Sequence, residues 1–436
     1  MTRASAAYDL TRPVARALAR EGSTPEFVQQ LAVFYEPTSA RRHKVGRLAL
    51  RDRRLYFEYD PAFLATRLQL SPLKLPLGAG LVTGDPALFG GLPGVFEDSL
   101  PDGWGRLLID RRAAELGMSS ARLTPLDRLA LVGARGLGAL VYEPELPLED
   151  PRLVELAALA QDAERVQQGS RGADLEQLIA VGGSPQGARP KVLVQLSPRG
   201  EVLLGARELA PGHSAWMVKF PARGDEPHSA ALEHAYFLMA AEAGLEVPRT
   251  QLLGQTARRP GYFAIERFDR RGPARVHAHT LGGLLHLPHG YPALDYGALL
   301  EVTQALTRNH AAVREQFRRA CFNVLAHNRD DHCRNFAFLM GEDGQWAPSP
   351  AYDLTFSPGP GGEHTLLVAG EGKAPGRAHL LELARRARIK KPAEILDQVR
   401  RAVTRFASFA DQARVPARPR NRIAAALARC VARADG

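Results

Sequence analysis

Cysteine is nearly absent from this chain. Cys321, Cys333 and Cys430 are the three in 436 residues, too few and too irregularly spaced for a disulfide framework, which excludes a small stapled secreted fold and points to a reducing cytoplasm. No uninterrupted apolar run approaches the ~18 residues that span a bilayer, and the N-terminus lacks the hydrophobic core of a signal peptide. The sequence therefore reads as a soluble, cytoplasmic protein with no membrane partner. Internal repeats and low-complexity segments are also missing, which excludes a solenoid. Lysine is scarce as well: of 57 basic residues seven are lysines, at 44, 74, 191, 219, 373, 390 and 391. In a chain so committed to arginine, a lysine inside a motif-like segment suggests a need for a compact ammonium, which suits a phosphate as a point charge.

What is present centres on residues 328–353, NRDDHCRNFAFLMGEDGQWAPSPAYD. Asp330 and Asn335 are separated by four residues, the spacing of the R-D-x-x-x-x-N loop in which Asp accepts a hydroxyl proton and Asn holds a magnesium ion. Asp353 is the candidate second metal ligand. The run Phe336–Met340, the turn signal Asp343-Gly344 and a second run from Trp346 predict a hairpin that returns Asp353 toward Asn335. An Asn and an Asp suffice for Mg²⁺, which usually keeps waters and phosphate oxygens as its other ligands. Two other readings of the cluster stay open: a solvated loop or cap, and a transition-metal site on His327, Asp330, Asp331 and His332, although no second His/Asp cluster with ligand spacing follows.

A nucleotide site must lie upstream, and two lysines sit in suitable segments. Gly182, Gly183 and Gly187 precede Lys191 in VGGSPQGARPK, a glycine-rich turn able to aim N–H groups at phosphate oxygens before the strand-like VLVQL. It departs from a Walker A loop, because Ala-Arg-Pro separates Gly187 from Lys191 and Val192 stands where Ser or Thr should hold magnesium. Pro190 also removes a backbone donor. Lys219 lies in the alternating strand WMVKF, and the helix predicted over 229–243 carries Glu233. A strand lysine that meets phosphates and is oriented by a glutamate on the next helix is the kinase arrangement. A plain turn and a pair of solvent-facing charges are the bland alternatives.

Around these motifs the sequence predicts an α+β chain, a two-lobed protein-kinase-like fold with an N-terminal α/β subdomain and a mainly helical C-terminal lobe. Residues 1–30 read as an extension with a short helix (Thr11 cap, Pro13, Gly22 stop), and 31–145 as the α/β subdomain, with strands over 44–50 and 54–59 and a helix near 103–116. A helical connection is expected over 146–176, with Leu153, Leu156, Leu159 and Ala160 on one face. The nucleotide-binding lobe covers 177–270, including a strand over 262–268, and the helical lobe 271–412, with helices over 295–306 and 311–326. A basic tail, 413–436, closes the chain. From Gly376 onward there are 15 Lys or Arg against 5 Asp or Glu, an excess equal to the +10 of the whole chain. Such a patch suits contacts to DNA phosphates, while Ile395, Leu396, Val399, Val403 and Phe406 also follow a stripe that would pack as an ordinary helix.

At this point the residues resemble the HipA-like serine/threonine kinases of bacterial toxin–antitoxin modules. The matching segments are FEDSLPDGWGRLLID (96–110), LDRLALVGARGLGALVYEP (126–144), GGSPQGARPK (182–191), WMVKFP, IERFDR (265–270), NRDDHCRNFAFL and SPAYDLTFSPG (349–359). They run in order over nearly the whole chain, and LPDGWGR is foreign to other kinase classes. The resemblance implies ATP and Mg²⁺ as cofactors, Asp330 as base, Asn335 and Asp353 as metal ligands, and Lys191 and Lys219 as phosphate ligands. The backbone of Glu266, Arg267 and Phe268 is implied to meet adenine, and His332 is grouped with the nucleotide-binding residues. Ser184, seven residues before Lys191, takes the place of an autophosphorylated serine, whose phosphate would repel ATP and shut the enzyme off. YDL at 352–354 replaces DFG, so the aromatic switch of eukaryotic kinases is not implied.

Three functional classes follow. The first is a protein kinase toxin that phosphorylates a translation component, typically an aminoacyl-tRNA synthetase, and is held by a small helix-turn-helix antitoxin (HipB-like) on operator DNA. The second is an ATP-binding corepressor without transfer activity, which an intact Asp330, Asn335 and Asp353 argue against. The third is a small-molecule kinase on a similar fold.

Overall fold

The computed structural model describes residues 27–115, 118–145, 152–153, 155–182, 187–204, 208–256, 259–288 and 294–435. The expected N-terminal helix, Gly183 and Ser184 lie outside them. Helices and strands interleave along the chain, the expected α+β composition. The chain divides into two compact units, Met1–Ala215 with Arg270–His277, and Trp216–Asp269 with Ala278–Gly436.

In the first unit Leu31, Val33 and Tyr35 alternate to the buried face of the strand Gln30–Thr38, the period of a strand with one side on a core. This strand pairs antiparallel with Arg41–Arg51 and Leu140–Glu143, and the sheet runs on through Arg54–Tyr59 to the edge strand Leu81–Thr83. Phe57 packs on Phe96 with ring centroids 4.9 Å apart, and Tyr142 donates a 2.7 Å bond to Ser99 Oγ. The helix Pro125–Val132 opens on a capping box between Thr124 and Asp127. Asp127 also accepts the Val28 N–H at 2.7 Å, tying down the chain before the first strand. Arg275, from the 270–277 segment, is buried and donates to the carbonyls of Ala134 (2.8 Å) and Gly138 (3.3 Å).

The connection expected over 146–176 is only partly helical. Leu153 sits in the two-residue strand Arg152–Leu153, which pairs with Val202–Leu204. The helix is Leu156–Gln168, and its buried face is Leu159, Ala163 and Val166 rather than one through Ala160. The i, i+4, i+7 spacing of those three is the helical stripe; Leu153, lying before the cap, was never in phase with it. A second helix, Leu175–Gly182, leads to the strand Lys191–Leu196.

In the second unit, Trp216 to Lys219 of the strand Ser214–Lys219 pair antiparallel with Tyr262–Glu266, which pairs in turn with Thr250–Leu253. The strand expected to reach Phe268 stops at Glu266, because Arg267 turns back onto the buried carboxylate of Asp269, with bonds of 3.0 and 2.7 Å. The helix Ser229–Glu242 buries Ala231, Leu232, Ala235, Tyr236, Phe237, Met239 and Ala240 along with Glu233. A carboxylate on so apolar a helix needs a cation. The two long helices form as Tyr296–Thr307 and His310–Leu325, capped by the side chains of Asp295 and Asn309. Ile395, Leu396, Val399 and Val403 are buried on Pro392–Thr404, and Phe406 on Phe406–Gln412, so that stripe belongs to the core. Among the described residues no helix is long and apolar enough to cross a membrane.

Candidate functional site

The cation that Glu233 requires is Lys219. Its Nζ donates to Glu233 Oε1 and to Asp353 Oδ1, both at 2.6 Å. Burial alone would lower the lysine's pKa, but the charges of Asp353 and then Glu233 outweigh it and hold the pKa well above the ordinary lysine value. The two carboxylates differ: the Glu233 side chain is 3 % exposed and that of Asp353 44 %. One therefore anchors the ammonium, while the other presents charge at the surface of the site. Asp353 takes a positive φ of 56°, a region Asp visits more readily than most residues.

The hairpin that delivers Asp353 is the expected one. Ala337–Met340 pairs antiparallel with Trp346–Pro348, with Met340 opposite Trp346. The Tyr352 hydroxyl then donates to the Arg334 carbonyl at 2.5 Å, fixing the residue before Asp353 to the one before Asn335. Asn335 closes a short 3-10 turn, Cys333–Asn335, and its Nδ2 donates to the Asp330 carbonyl at 2.7 Å. The amide nitrogen is thus committed, and Oδ1 is the atom left to act as a ligand. Asp330 itself is exposed and His332 half-buried, with the His332 carbonyl accepting the Asn335 N–H at 2.9 Å.

Asp331 does the opposite of Asp330. It is buried and accepts from the Tyr296 hydroxyl (2.7 Å), His364 Nδ1 (2.8 Å), the Thr365 N–H (2.8 Å) and, more weakly, the Leu366 N–H (3.4 Å). Tyr296 is kept protonated by burial and then by the adjacent Asp331 charge, which raise its pKa well above the usual phenol value. Asn323 donates to the Tyr296 oxygen at 2.9 Å and Asn328 to Asn323 at 3.0 Å. Arg329 donates to the carbonyls of Gly362 and Lys373, the latter at 2.9 Å. The segment after Asp353 is therefore fastened to the loop on both sides of Asp330. His327 leaves its helix at a positive φ of 53°, stacks on Phe356 and meets the Ser357 carbonyl. The four residues of the transition-metal reading do not converge, and among the described residues no group of three or more His, Cys, Asp or Glu is placed to hold a metal.

The adenine candidates lie at the end of the Tyr262–Glu266 strand. Glu266 makes a bidentate pair with Arg249, both bonds 2.6 Å, and its N–H is taken by the Arg249 carbonyl. Phe268 packs on Tyr352, centroids 5.4 Å apart, so this segment touches the residue next to Asp353. Gly182, Gly187 and Lys191 belong to the first unit. Lys191 is buried at the start of its strand, and its Nζ lies against Gly187, where a Cβ would collide with it. Gly187 has φ +106°, open to glycine and strained for other residues. Sequence reasoning missed the supporting set of Tyr296, Asn323, Arg329 and His364; the doubled Asp330-Asp331 was the one local sign of it.

The model of the HipA-like C-terminal domain matches residues 183–407, and that of the HipA N-terminal domain residues 38–143. Among curated proteins, one named "Putative kinase" from Haemophilus influenzae is 29 % identical over 163 residues, 34 % of this chain and 48 % of the relative. Another, "Putative kinase Y4dM" from Sinorhizobium fredii, is 29 % identical over 154 residues, 32 % of this chain and 37 % of the relative. This chain thus spans less than half the length of either. A solved structure of the Shewanella oneidensis HipA, from a complex with HipB and operator DNA, superposes with a TM-score of 0.66 at 17 % identity, over 92 % of this chain and 95 % of that one. That likeness shows a shared fold. The resemblance carried by LPDGWGR, WMVKFP and NRDDHCRNF is borne out, and with the C-terminal domain alone matching just over half of its residues the chain belongs to the HipA-like family.

Proposed function

We propose that this protein is a kinase that transfers the γ-phosphoryl group of ATP to a serine or threonine hydroxyl of another protein. The observation that carries the reading is the Lys219 ammonium held at 2.6 Å by both Glu233 and Asp353. A strand lysine, a helix glutamate and the metal-ligand aspartate in one ionic cluster is the assembled kinase arrangement. The donor set fits Mg²⁺: the oriented Asn335 Oδ1 and the Asp353 carboxylate are both oxygen ligands, as that ion prefers. When bound, the metal neutralises charge on the nucleotide phosphates.

The chain's own residues divide the remaining work. Lys219, fixed by Glu233, meets the phosphates as a permanent cation, and Lys191 supplies a second positive charge. Exposed Asp330 takes the proton of the attacking hydroxyl as the new O–P bond forms and the bond to the ADP oxygen breaks. Buried Asp331 holds the loop still, so that Asp330 need not be ordered at the moment of reaction. Glu266 to Phe268 is proposed as the adenine edge and His332 as a flanking nucleotide contact. Ser184 remains the candidate for a self-inactivating phosphorylation.

By analogy with the Shewanella protein's complex, an antitoxin and operator DNA are proposed partners; that the antitoxin is a helix-turn-helix protein and the substrate an aminoacyl-tRNA synthetase is proposed from the family resemblance alone. On the last helix, Ala417–Asp435, Arg418, Arg422, Arg429 and Arg433 are exposed at spacings of four and seven, hence on one face. They favour phosphate-backbone contacts over base reading. The test is incubation with labelled ATP, Mg²⁺ and bacterial lysate beside an Asp330→Asn variant, with phosphosite mapping. Label on a lysate protein or on Ser184 that the variant lacks is the expected result; equal labelling by both proteins, or none by the wild type, refutes the reading.

A further inference from the structure

The LPDGWGR segment, so specific in the sequence, has no part in the chemistry above, and its place in the first unit says why it is there. Asp102 stands at the head of the helix Gly103–Glu115, its carbonyl accepting the Arg106 N–H at 3.1 Å. Its carboxylate reaches across to accept the N–H of Gly187. Two residues on, the Trp104 N–H donates to the Gly187 carbonyl at 3.0 Å. Both polar groups of one glycine are therefore gripped by one short segment. Gly103, between them, has φ +27°, and a Cβ there would lie 2.5 Å from Ala188 Cα, so only glycine lets the two backbones meet this closely.

The grip extends to the residue before the loop. A Cβ on Gly182 would come within 3.0 Å of Trp104 Nε1 and 3.5 Å of Leu108, so Trp104, itself buried, packs directly on the glycine that ends the helix Leu175–Gly182. Gly187 in turn is the surface against which the Lys191 ammonium lies. A shift of Gly187 moves the space available to that charge.

We infer that Asp102, Gly103 and Trp104 form a clamp that fixes Gly187 and thereby places the Lys191 ammonium for phosphate binding. They are positioning residues. The inference rests on the nucleotide reading of that loop and adds a specific consequence. Because the clamp acts on Gly187 and on Lys191, loosening it should weaken recognition of phosphates and leave recognition of the base and ribose alone.

The experiment compares ATP, ADP and adenosine binding to the full-length wild type, Asp102→Ala and Gly103→Ala, with hydrogen exchange at 187–191 in nucleotide-free protein. Asp102→Ala removes a charge-assisted acceptor, so ATP and ADP affinity should fall about tenfold, with adenosine affinity unchanged and exchange at Gly187 accelerated. Gly103→Ala should reproduce the pattern by pushing on Ala188 without touching the carboxylate. Asp102→Asn, which keeps an oxygen acceptor, should restore most of the loss. Equal loss for adenosine and ATP would mean a general structural defect and overturn the clamp, as would unchanged ATP affinity with unchanged exchange. A wild type that binds ATP no more tightly than adenosine would instead overturn the nucleotide reading, and the clamp's consequence with it.

Discussion

Lys219→Met is the most revealing single substitution in the second unit. It removes the ammonium and keeps the aliphatic stem, taking the Lys219 cation away from Glu233 on a helix whose neighbours are apolar. Breaking a buried ion pair from one side costs about 3–5 kcal/mol. Nearly all of that should come from Glu233, 3 % exposed, because Asp353 at 44 % can be solvated in the lysine's absence. A buried carboxylate that has lost its cation relieves itself by taking a proton, so the loss should be close to its full value at pH 8 and shrink toward pH 5. The double variant Lys219→Met/Glu233→Met replaces both charges with apolar side chains and should recover most of the stability, yet neither variant should transfer phosphate. Urea unfolding at pH 5 and 8, followed by helix circular dichroism, reads all three proteins. A Lys219→Met defect that is the same at both pH values, or that the double variant does not relieve, would refute the argument.

Two further outcomes follow from the loop and its surroundings. Asp331→Ala orphans the Tyr296 hydroxyl, His364 Nδ1 and the Thr365 N–H, at about 1–3 kcal/mol for each buried group; urea unfolding should show at least about 3 kcal/mol lost, and initial rates should show a fallen kcat with ATP KM within about threefold. His234 and His327 have pKa values lowered from the ordinary histidine value, the first by burial and the second by burial and then by Arg329. Groups with depressed folded pKa values contribute stability above the unfolded value of about 6.5 that is lost as pH falls below it. The urea midpoint should therefore drop between pH 7.5 and 5.5, and drop less in His234→Gln.

Much of this was legible in the sequence because the signals were local. The strands read at 44–50 and 54–59 form within Arg41–Arg51 and as Arg54–Tyr59, alternation marks the one at 216–220, which forms as Ser214–Lys219, an apolar run marks the Glu233 helix, and Asp343-Gly344 announces the hairpin that its strands confirm. Lysine scarcity singles out Lys191 and Lys219 from sequence alone. What escaped depended on long-range partners. His364 lies 33 residues from Asp331 and Asp102 85 from Gly187, separations at which no spacing rule operates. Leu153 was misplaced because a two-residue strand leaves no period to read, and the strand at 262–266 seemed longer because Arg267 and Phe268 give no sign of the turn onto Asp269.

In the proposed mechanism Asp330 moves a proton while Lys219, Asn335 and Asp353 hold the nucleotide and its metal. Single-turnover phosphoryl transfer by Asp330→Asn, measured beside its Mg·ATP affinity, separates those roles. Affinity should stay within about threefold of wild type and transfer should slow at least about a hundredfold, the usual worth of a general base. Transfer at the wild-type rate with intact binding would contradict it.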